Sequence, residues 1–387
     1  MNKIAAIIPA AGYSSRMETL KPLLPLGGMP VLERVIRLFR SAGIEDTRVV
    51  VGYRSEDLIK ALRHLNVQWI FNEQYKDGMF SSVATGVKSL GTDHEAFFVL
   101  PADVPLVRRQ TLLDLMAEFE NSPGLILYPY FDGRRGHPPL IPAFYSRKIT
   151  SWHGTGGLRS FLEQHENDAQ NVAVADECIH MDLDTSSNYQ CLINKWNRYD
   201  IPTIEECRVL MRRKFGMEDR VIAHCLEVAR LAHILGKEVN KCGRQFDLDL
   251  IVAAGLLHDL ARNQPDHAKE GKRILNEMGY PAVAEIVGAH MDIAIHDNAP
   301  INAKEIVYLA DKLTRDDYTV DLETRLREKM ARHSDDPEAE KAISMRLVNA
   351  LKIKKSLETA TGKPLEAILG ASPPECHDDL FAQTWRN

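Results

Sequence analysis

No stretch of the chain approaches the ~20 consecutive apolar residues that a membrane-spanning helix needs. Apolar residues make up 44% of the sequence and charged ones 26%, ordinary proportions for a soluble globular protein. The six cysteines (178, 191, 207, 225, 242 and 376) include no C-x-x-C pair. Most sit in apolar helical contexts, which favours reduced thiols in a cytoplasmic protein over a disulfide framework or a zinc ribbon. Positive charge is not in excess. A net charge of −6 gives no electrostatic footprint for nucleic acid, and Arg34, Arg37 and Arg40 recur at helical spacing like a solvated helix face. Lys3 leads straight into an apolar run and a polar loop, which is not the pattern of a signal peptide. The expected partners are therefore small molecules, with neither nucleic acid nor membrane among them; the oligomeric state is left open. A length of 387 residues suits two or three domains of ~150 residues each.

What is present changes character half-way. Up to about residue 197, apolar runs at 4–8, 48–51, 68–71 and 96–100 alternate with helical patterns at 31–40, 55–65, 82–90 and 110–120. That alternation predicts an α/β domain with a mostly parallel, Rossmann-like sheet, whose ligands sit beyond the carboxyl ends of the strands. The first such exit is Pro9-Ala10-Ala11-Gly12-Tyr13-Ser14-Ser15-Arg16-Met17, with Lys21 behind it. Gly12 opens the backbone to a ligand, and the hydroxyls, guanidinium and ammonium that follow suit an oligophosphate. Asp103 leaves the strand at 97–100 in a turn between Pro101 and Pro105, and a triphosphate needs such a carboxylate to hold its Mg²⁺. Ser81 and Ser82 follow the Gly78 turn at a helix start, where free N–H groups meet an anion or a base; as an equal alternative they cap the helix. Residues 133–140 and 154–159 form two basic, glycine-rich loops consistent with a phosphorylated acceptor. The segment His180-Met181-Asp182-Leu183-Asp184-Thr185 reads as a strand with two acids outward.

The loop at 9–17 with Lys21-Pro22, the turn at 101–106, and the segments Gly78-Met79-Phe80-Ser81-Ser82 and 133–140 together resemble the nucleotidyltransferases that activate sugars, alcohols and the molybdenum cofactor. They are most similar to the cytidylyl- and guanylyltransferases of that cofactor. The resemblance implies that Ala10, Ala11, Gly12, Ser14, Ser15, Arg16, Lys21, Ser81 and Ser82 bind the nucleotide. Arg16 and Lys21 would neutralise charge in catalysis, and Asp103 with Asp184 (Asp182 as the alternative) would hold Mg²⁺. Gly136, His137, Gly156 and Arg159 would face the acceptor, implied to be molybdopterin or its molybdenum form. Ala11, where guanylyl-transferring members tend to have a second glycine, favours CTP over GTP. One departure stands out: Glu18 occupies a position usually held by glycine.

The polar, aromatic stretch at 195–202 predicts a domain boundary, giving domains at 1–197 and 203–370 and a tail at 371–387. Thr203 and Glu206 form a capping-box pattern, and an all-α region follows. Its helices carry His224, His258, Asp259, His290 and Asp311 on faces otherwise lined by Val, Ile, Leu and Ala. Buried carboxylates are seldom left unpaired, whereas around a divalent cation this set makes sense. The order His224, His258-Asp259, Asp311 resembles the HD-domain metal-dependent phosphohydrolases from about residue 218 to 370. That resemblance implies Asp259 at the catalytic centre, phosphoester hydrolysis by a metal-activated water, and His267 and His290 as further ligands. One or two divalent metals are implied there, and two are expected because one would leave His267 and His290 without a role.

Overall fold

The computed structural model describes residues 3–13, 20–296, 299–332 and 336–370. The chain divides into two compact units, Met1–Tyr199 and Asp200–Asn387.

The first unit is built on an eight-stranded sheet. Its strands are β1 (Ile4–Pro9), β2 (Thr47–Val51), β3 (Gln68–Phe71), β4 (Ala96–Val99), β5 (Ile126–Phe131), β6 (Arg134–Arg135), β7 (Leu140–Pro142) and β8 (Ala169–Ala173). The order is β8-β5-β7-β4-β1-β2-β3, with β6 paired on β5. β1 lies parallel between β4 and β2, with Ile7 opposite Val99 and Ile8 opposite Val49. β7 is the antiparallel insertion, between β4 and β5. β1 and β4 read as unbroken apolar runs, and β2 ends in one at Val49-Val50-Val51, because helices cover both faces of a parallel sheet. Helices α1 (Val31–Ser41), α2 (Ser55–Leu62), α3 (Met79–Lys88), α4 (Arg109–Asn121), α5 (Gly157–Glu163) and α6 (Ser186–Trp196) complete the unit. α3 lies close over β1 because Gly86 has no side chain; a Cβ there would stand 2.5 Å from Ile7 Cγ2.

Two expectations fail here. The segment at 180–185 is not a strand. Its apolar Leu183 is buried as expected, but its backbone is tied to the turn of Asp103 by Leu183 N–H donating to Asp103 O at 2.8 Å, and the segment joins no ladder. Nor do the arginines of α1 form a solvated face. The Arg34 guanidinium lies 3.6 Å from the Trp196 ring centre and donates to Leu26 O, while Arg40 reaches the Asn66 carbonyl. Arg37 alone behaves as a surface charge, paired to Glu33.

The second unit is helical: α7 (Ile204–Val209), α8 (Asp219–Lys241), α9 (Leu248–Leu257), α10 (His267–Glu277), α11 (Pro281–Val287), α12 (Ala303–Leu313), α13 (Leu322–Arg332), α14 (Pro337–Thr361) and α15 (Leu365–Gly370). The Thr203–Glu206 capping box opens α7, and Asn302 with Glu305 forms another at α12. α8 and α9 pack almost backbone to backbone; a Cβ on Gly255 would fall 2.7 Å from Ala229 Cα. None of the described helices is long and apolar enough to cross a membrane.

Candidate functional sites

In the first unit a cavity of about 620 Å³ opens at the carboxyl ends of β1 and β4. Backbone bonds fix its floor. Ala10 N–H donates to Val50 O at 2.8 Å, Tyr53 N–H to Ala11 O at 3.2 Å, and Ala102 N–H to Pro9 O at 3.1 Å. These bonds draw Ala10, Ala11 and Gly12 beside Asp103, and the Leu183 bond delivers Asp184 to the same wall. All five residues line the cavity with Lys21 and Ser82. Lys21 Nζ lies 3.1 Å from Asp184 Oδ1. Burial raises the Asp103 carboxyl above its ordinary range, partly offset by its own backbone bonds and Lys21, while Asp184 and Asp182 push the same way as burial. A cation between Asp103 and Asp184 would relieve that repulsion. Asp182 is exposed and is not among the lining residues, so Asp184 is the better placed of the two acids.

Other expected residues are placed differently. Ser14, Ser15, Arg16 and Glu18 lie outside the described residues. Neither serine of α3 caps it, since Gly78 is the N-cap residue. Ser81 Oγ donates within 2.8 Å of the Gln74 and Gly78 carbonyls, and Asn72 Nδ2 donates to Ser81 Oγ at 2.9 Å and Ser82 Oγ at 3.0 Å. Gly136, His137, Gly156 and Arg159 are not among the cavity's lining residues. Arg159 points to solvent and pairs with Glu163, and Arg135 of the same basic group is held by Glu166 and stacked on Tyr128. Tyr13, Tyr75, Lys76 and Met79, to which sequence reasoning gave no role, line the cavity mouth. The Tyr13 ring packs 5.0 Å from Tyr53 and 5.5 Å from Tyr75. Single aromatics in loops carry no periodic signal, so nothing in the sequence separates them from surface residues.

In the helical unit, five elements bring the expected residues together, and all but the buried His258 line one cavity of about 1040 Å³. His224 comes from α8, His258 and Asp259 from the end of α9, and His267 from the first position of α10. His290 comes from the turn after α11, three residues past the helix end, and Asp311 from α12. Their orientation is set by backbone carbonyls. His224 Nδ1 lies 3.0 Å from Asp316 O, His258 Nδ1 2.8 Å from Gly255 O, and His290 Nδ1 2.7 Å from Val287 O. A carbonyl only accepts, so each Nδ1 carries a proton, and each ring aims its Nε2 inward. The Nε2 of His258 is buried without a hydrogen-bond partner.

The carboxylates receive these nitrogens in two groups. His224 Nε2 is 3.3 Å and His258 Nε2 4.0 Å from Asp311 Oδ1, while His258 Nε2 is also 3.7 Å from Asp259 Oδ2. On the other side, His267 and His290 Nε2 lie 3.5 and 3.6 Å from Asp259 Oδ1 and 3.1 Å from each other. His224, His258 and Asp259 thus offer one set of ligand atoms and Asp259, His267 and His290 a second, each converging within 4.8 Å. Burial drives the His258 pKa down to about 4, and burial with the neighbouring His290 lowers that of His267. Burial opposes ionisation of Asp259, but His258, His290 and Arg262 hold its pKa low. Burial likewise opposes Asp311, which Lys312, His224 and Arg325 keep ionised. A pocket of imidazoles and carboxylates matches the ligand preferences of a divalent transition ion.

Three cations that sequence reasoning gave no role complete this site. Arg262 Nη1 lies 2.5 Å from Asp259 Oδ2, Lys312 donates to Asp311 Oδ2, and Arg325 reaches the Asp311 backbone carbonyl. For Arg262 and Lys312, nearness in sequence to Asp259 and Asp311 was the available signal; Arg325 comes from α13 and had none.

Residues 6–169 match the MobA-like NTP transferase domain family and residues 221–316 the HD domain family. Among curated proteins, the Bifunctional protein GlmU of Alkalilimnicola ehrlichii is 32% identical over 153 residues, covering 39% of this chain and 31% of the relative. That of Methylococcus capsulatus is 35% identical over 141 residues, covering 36% and 30%. The chain thus spans about a third of the length of these relatives. Among solved structures, a nucleotidyl transferase from Methanothermobacter thermautotroptrophicus shares 21% identity at a TM-score of 0.45, covering 51% of this chain and all of that one (100%). A manganese complex of Rv0371c from Mycobacterium tuberculosis shares 20% identity at a TM-score of 0.43, covering 50% and 98%. The first unit thus contains a segment that matches the MobA-like NTP transferase domain and the second a segment that matches the HD domain.

Proposed function

We propose that the chain is a bifunctional enzyme with two separate active sites. In the first, a nucleoside triphosphate (CTP favoured) lies along Ala10–Gly12, and a phosphate oxygen of the acceptor attacks its α-phosphorus. A P–O bond forms, the α–β bridge breaks, and pyrophosphate leaves. Such a transfer asks the protein for positioning and charge neutralisation rather than covalent chemistry. Lys21 supplies positive charge from the cavity wall, and Asp103 with Asp184 would hold the Mg²⁺ that neutralises the triphosphate. Arg16, from the resemblance, is assigned the same task. A molybdopterin-type acceptor is the preferred reading, from the resemblance; the alternative is another alcohol or sugar phosphate, with an HD domain that senses a nucleotide without turnover.

In the second site, His224, His258, Asp259 and Asp311 would hold one divalent ion and Asp259, His267 and His290 a second. Bound ions would supply Lewis acidity to a phosphoester and lower the pKa of a water beside it. The protein's own part is to aim the imidazoles inward, to exclude bulk water around Asp259, and to leave the cavity open for substrate. The observation that carries the proposal is the convergence of four inward Nε2 atoms on two buried carboxylates, an arrangement with no purpose in packing. The test is a pair of assays on the full chain. Labelled CTP and GTP with phosphorylated acceptors should give acceptor-dependent pyrophosphate release. A generic phosphoester should be hydrolysed only when divalent metal is present. Absence of both reactions across a broad acceptor and metal screen would sink the proposal.

A further inference from the structure

Lys312 has no place in the ligand set, yet its ammonium is buried inside the metal-ligand cluster. It donates to Asp311 Oδ2 and, at 3.0 Å, to the backbone carbonyl of His290, and it stands 4.7 Å above the Tyr308 ring. A buried ammonium needs partners for its donors, and both oxygens that accept from Lys312 belong to residues of the ligand cluster. The two Asp311 oxygens therefore have different surroundings. Oδ2 is taken by Lys312, whereas Oδ1 faces His224 and His258, with Arg325 Nη2 more distant at 3.8 Å. Asp259 differs in kind, because the Arg262 that covers its Oδ2 is half exposed and free to swing toward solvent.

We infer that Lys312 is a positioning residue that holds Asp311 one-armed, so that a single oxygen reaches the ion and one coordination position stays open for substrate or water. Its second bond locks the turn carrying His290 to the same ammonium, so both ligand groups are set by one side chain. The inference rests on the metal-site reading above. Replacing Lys312 with the near-isosteric Met would release Oδ2 to the ion and remove a positive charge beside it. Metal affinity and turnover should then move in opposite directions, which loss of a merely structural lysine would not cause.

The experiment uses the full chain and Mn²⁺ alone. Titration calorimetry and metal-dependent phosphoester hydrolysis are compared for the native protein, Lys312→Met and Lys312→Arg. Lys312→Met should bind Mn²⁺ roughly 10-fold or more tighter and turn over roughly 10-fold or more slower, on the scale of changes around metal ligands; Lys312→Arg should move both values back toward native. A parallel fall in affinity and turnover in a folded Lys312→Met protein would overturn the inference. Should Lys312→Met not fold, X-ray absorption and a crystal structure of the native, Mn²⁺-loaded chain decide instead. One Asp311 oxygen on the ion with Lys312 on the other supports the role, and a two-oxygen Asp311 overturns it. A native chain that takes up no Mn²⁺ would instead overturn the metal-site reading beneath it.

Discussion

Asp103 and Asp184 stand on segments beside the sheet of the first unit, where Asp184 is 44% exposed and meets a lysine of the cavity wall. Asp259 and Asp311 in the second unit are 7% and 8% exposed, each pinned by cations and surrounded by imidazoles whose outer nitrogens are already bonded. The difference is one of preorganisation. A carboxylate at a strand exit keeps part of its hydration and can wait for its cation to arrive with the nucleotide. A carboxylate at a helix interface has lost its water, so the fold itself must supply compensating charge. The helical cluster is thus preassembled, whereas under the proposed function the cavity of the first unit would be completed by its nucleotide and cation.

The strongest way to break that comparison is to remove one carboxylate from each side. Asp259→Asn should lower hydrolysis by roughly 100-fold or more and leave nucleotidyl transfer near its native rate, while Asp103→Asn should do the reverse. Loss of both activities from one substitution, in a protein still folded by circular dichroism, would end the independence of the sites. A smaller change concerns metal count in the helical centre. The native chain, with Mg²⁺ withheld, should retain two transition ions by mass spectrometry, and His267→Ala with His290→Ala together should retain one. One ion in both proteins would reduce the second ligand group to a hydrogen-bonded histidine pair.

Preorganisation also has a pH signature. The His258 pKa is about 4 in the folded protein against the ordinary 6.5, so between these values the unfolded chain binds more protons. The stability that neutral His258 contributes is present above pH 6.5 and is lost as pH falls toward 4. The shift corresponds to about 3 kcal/mol across that window. Urea midpoints measured in EDTA should fall accordingly, and His258→Gln should flatten that part of the curve; an unchanged slope would refute the assignment. The smallest effect belongs to the open cavity. Ala11 is buried at its floor, close to Gly52 and Tyr75, and its methyl should crowd a purine more than a pyrimidine. Ala11→Gly should narrow the preference for CTP over GTP by about 10-fold, the scale of one methyl group in a pocket. Tighter GTP than CTP binding by the native chain would reverse the nucleotide assignment.

Legibility in the sequence followed how local each cause is. The alternation of strands and helices, the Thr203–Glu206 capping box, the turn at Asp103 and the inward registers of His224, His258 and Asp311 depend on residues within one or two turns of one another, and all of these features are present in the structure. The segment at 180–185 misled because alternation marks which side chains face the core, while a strand also needs a hydrogen-bonding neighbour along its length. Arg34 misled because nothing within α1 announces that Trp196, far along the chain, lies over its guanidinium.

By itself the sequence determined the two fold classes and most of the chemically able side chains, since periodicity and turn residues act over short range. Only the tertiary structure decided which acid meets Asp103, which nitrogen of each histidine faces inward, and that Lys312 and Arg262 cover one oxygen of each helical carboxylate. Those outcomes depend on groups distant in sequence, or on which way a side chain turns, and burial makes them consequential. A charge withdrawn from water must find its partner wherever folding brings one.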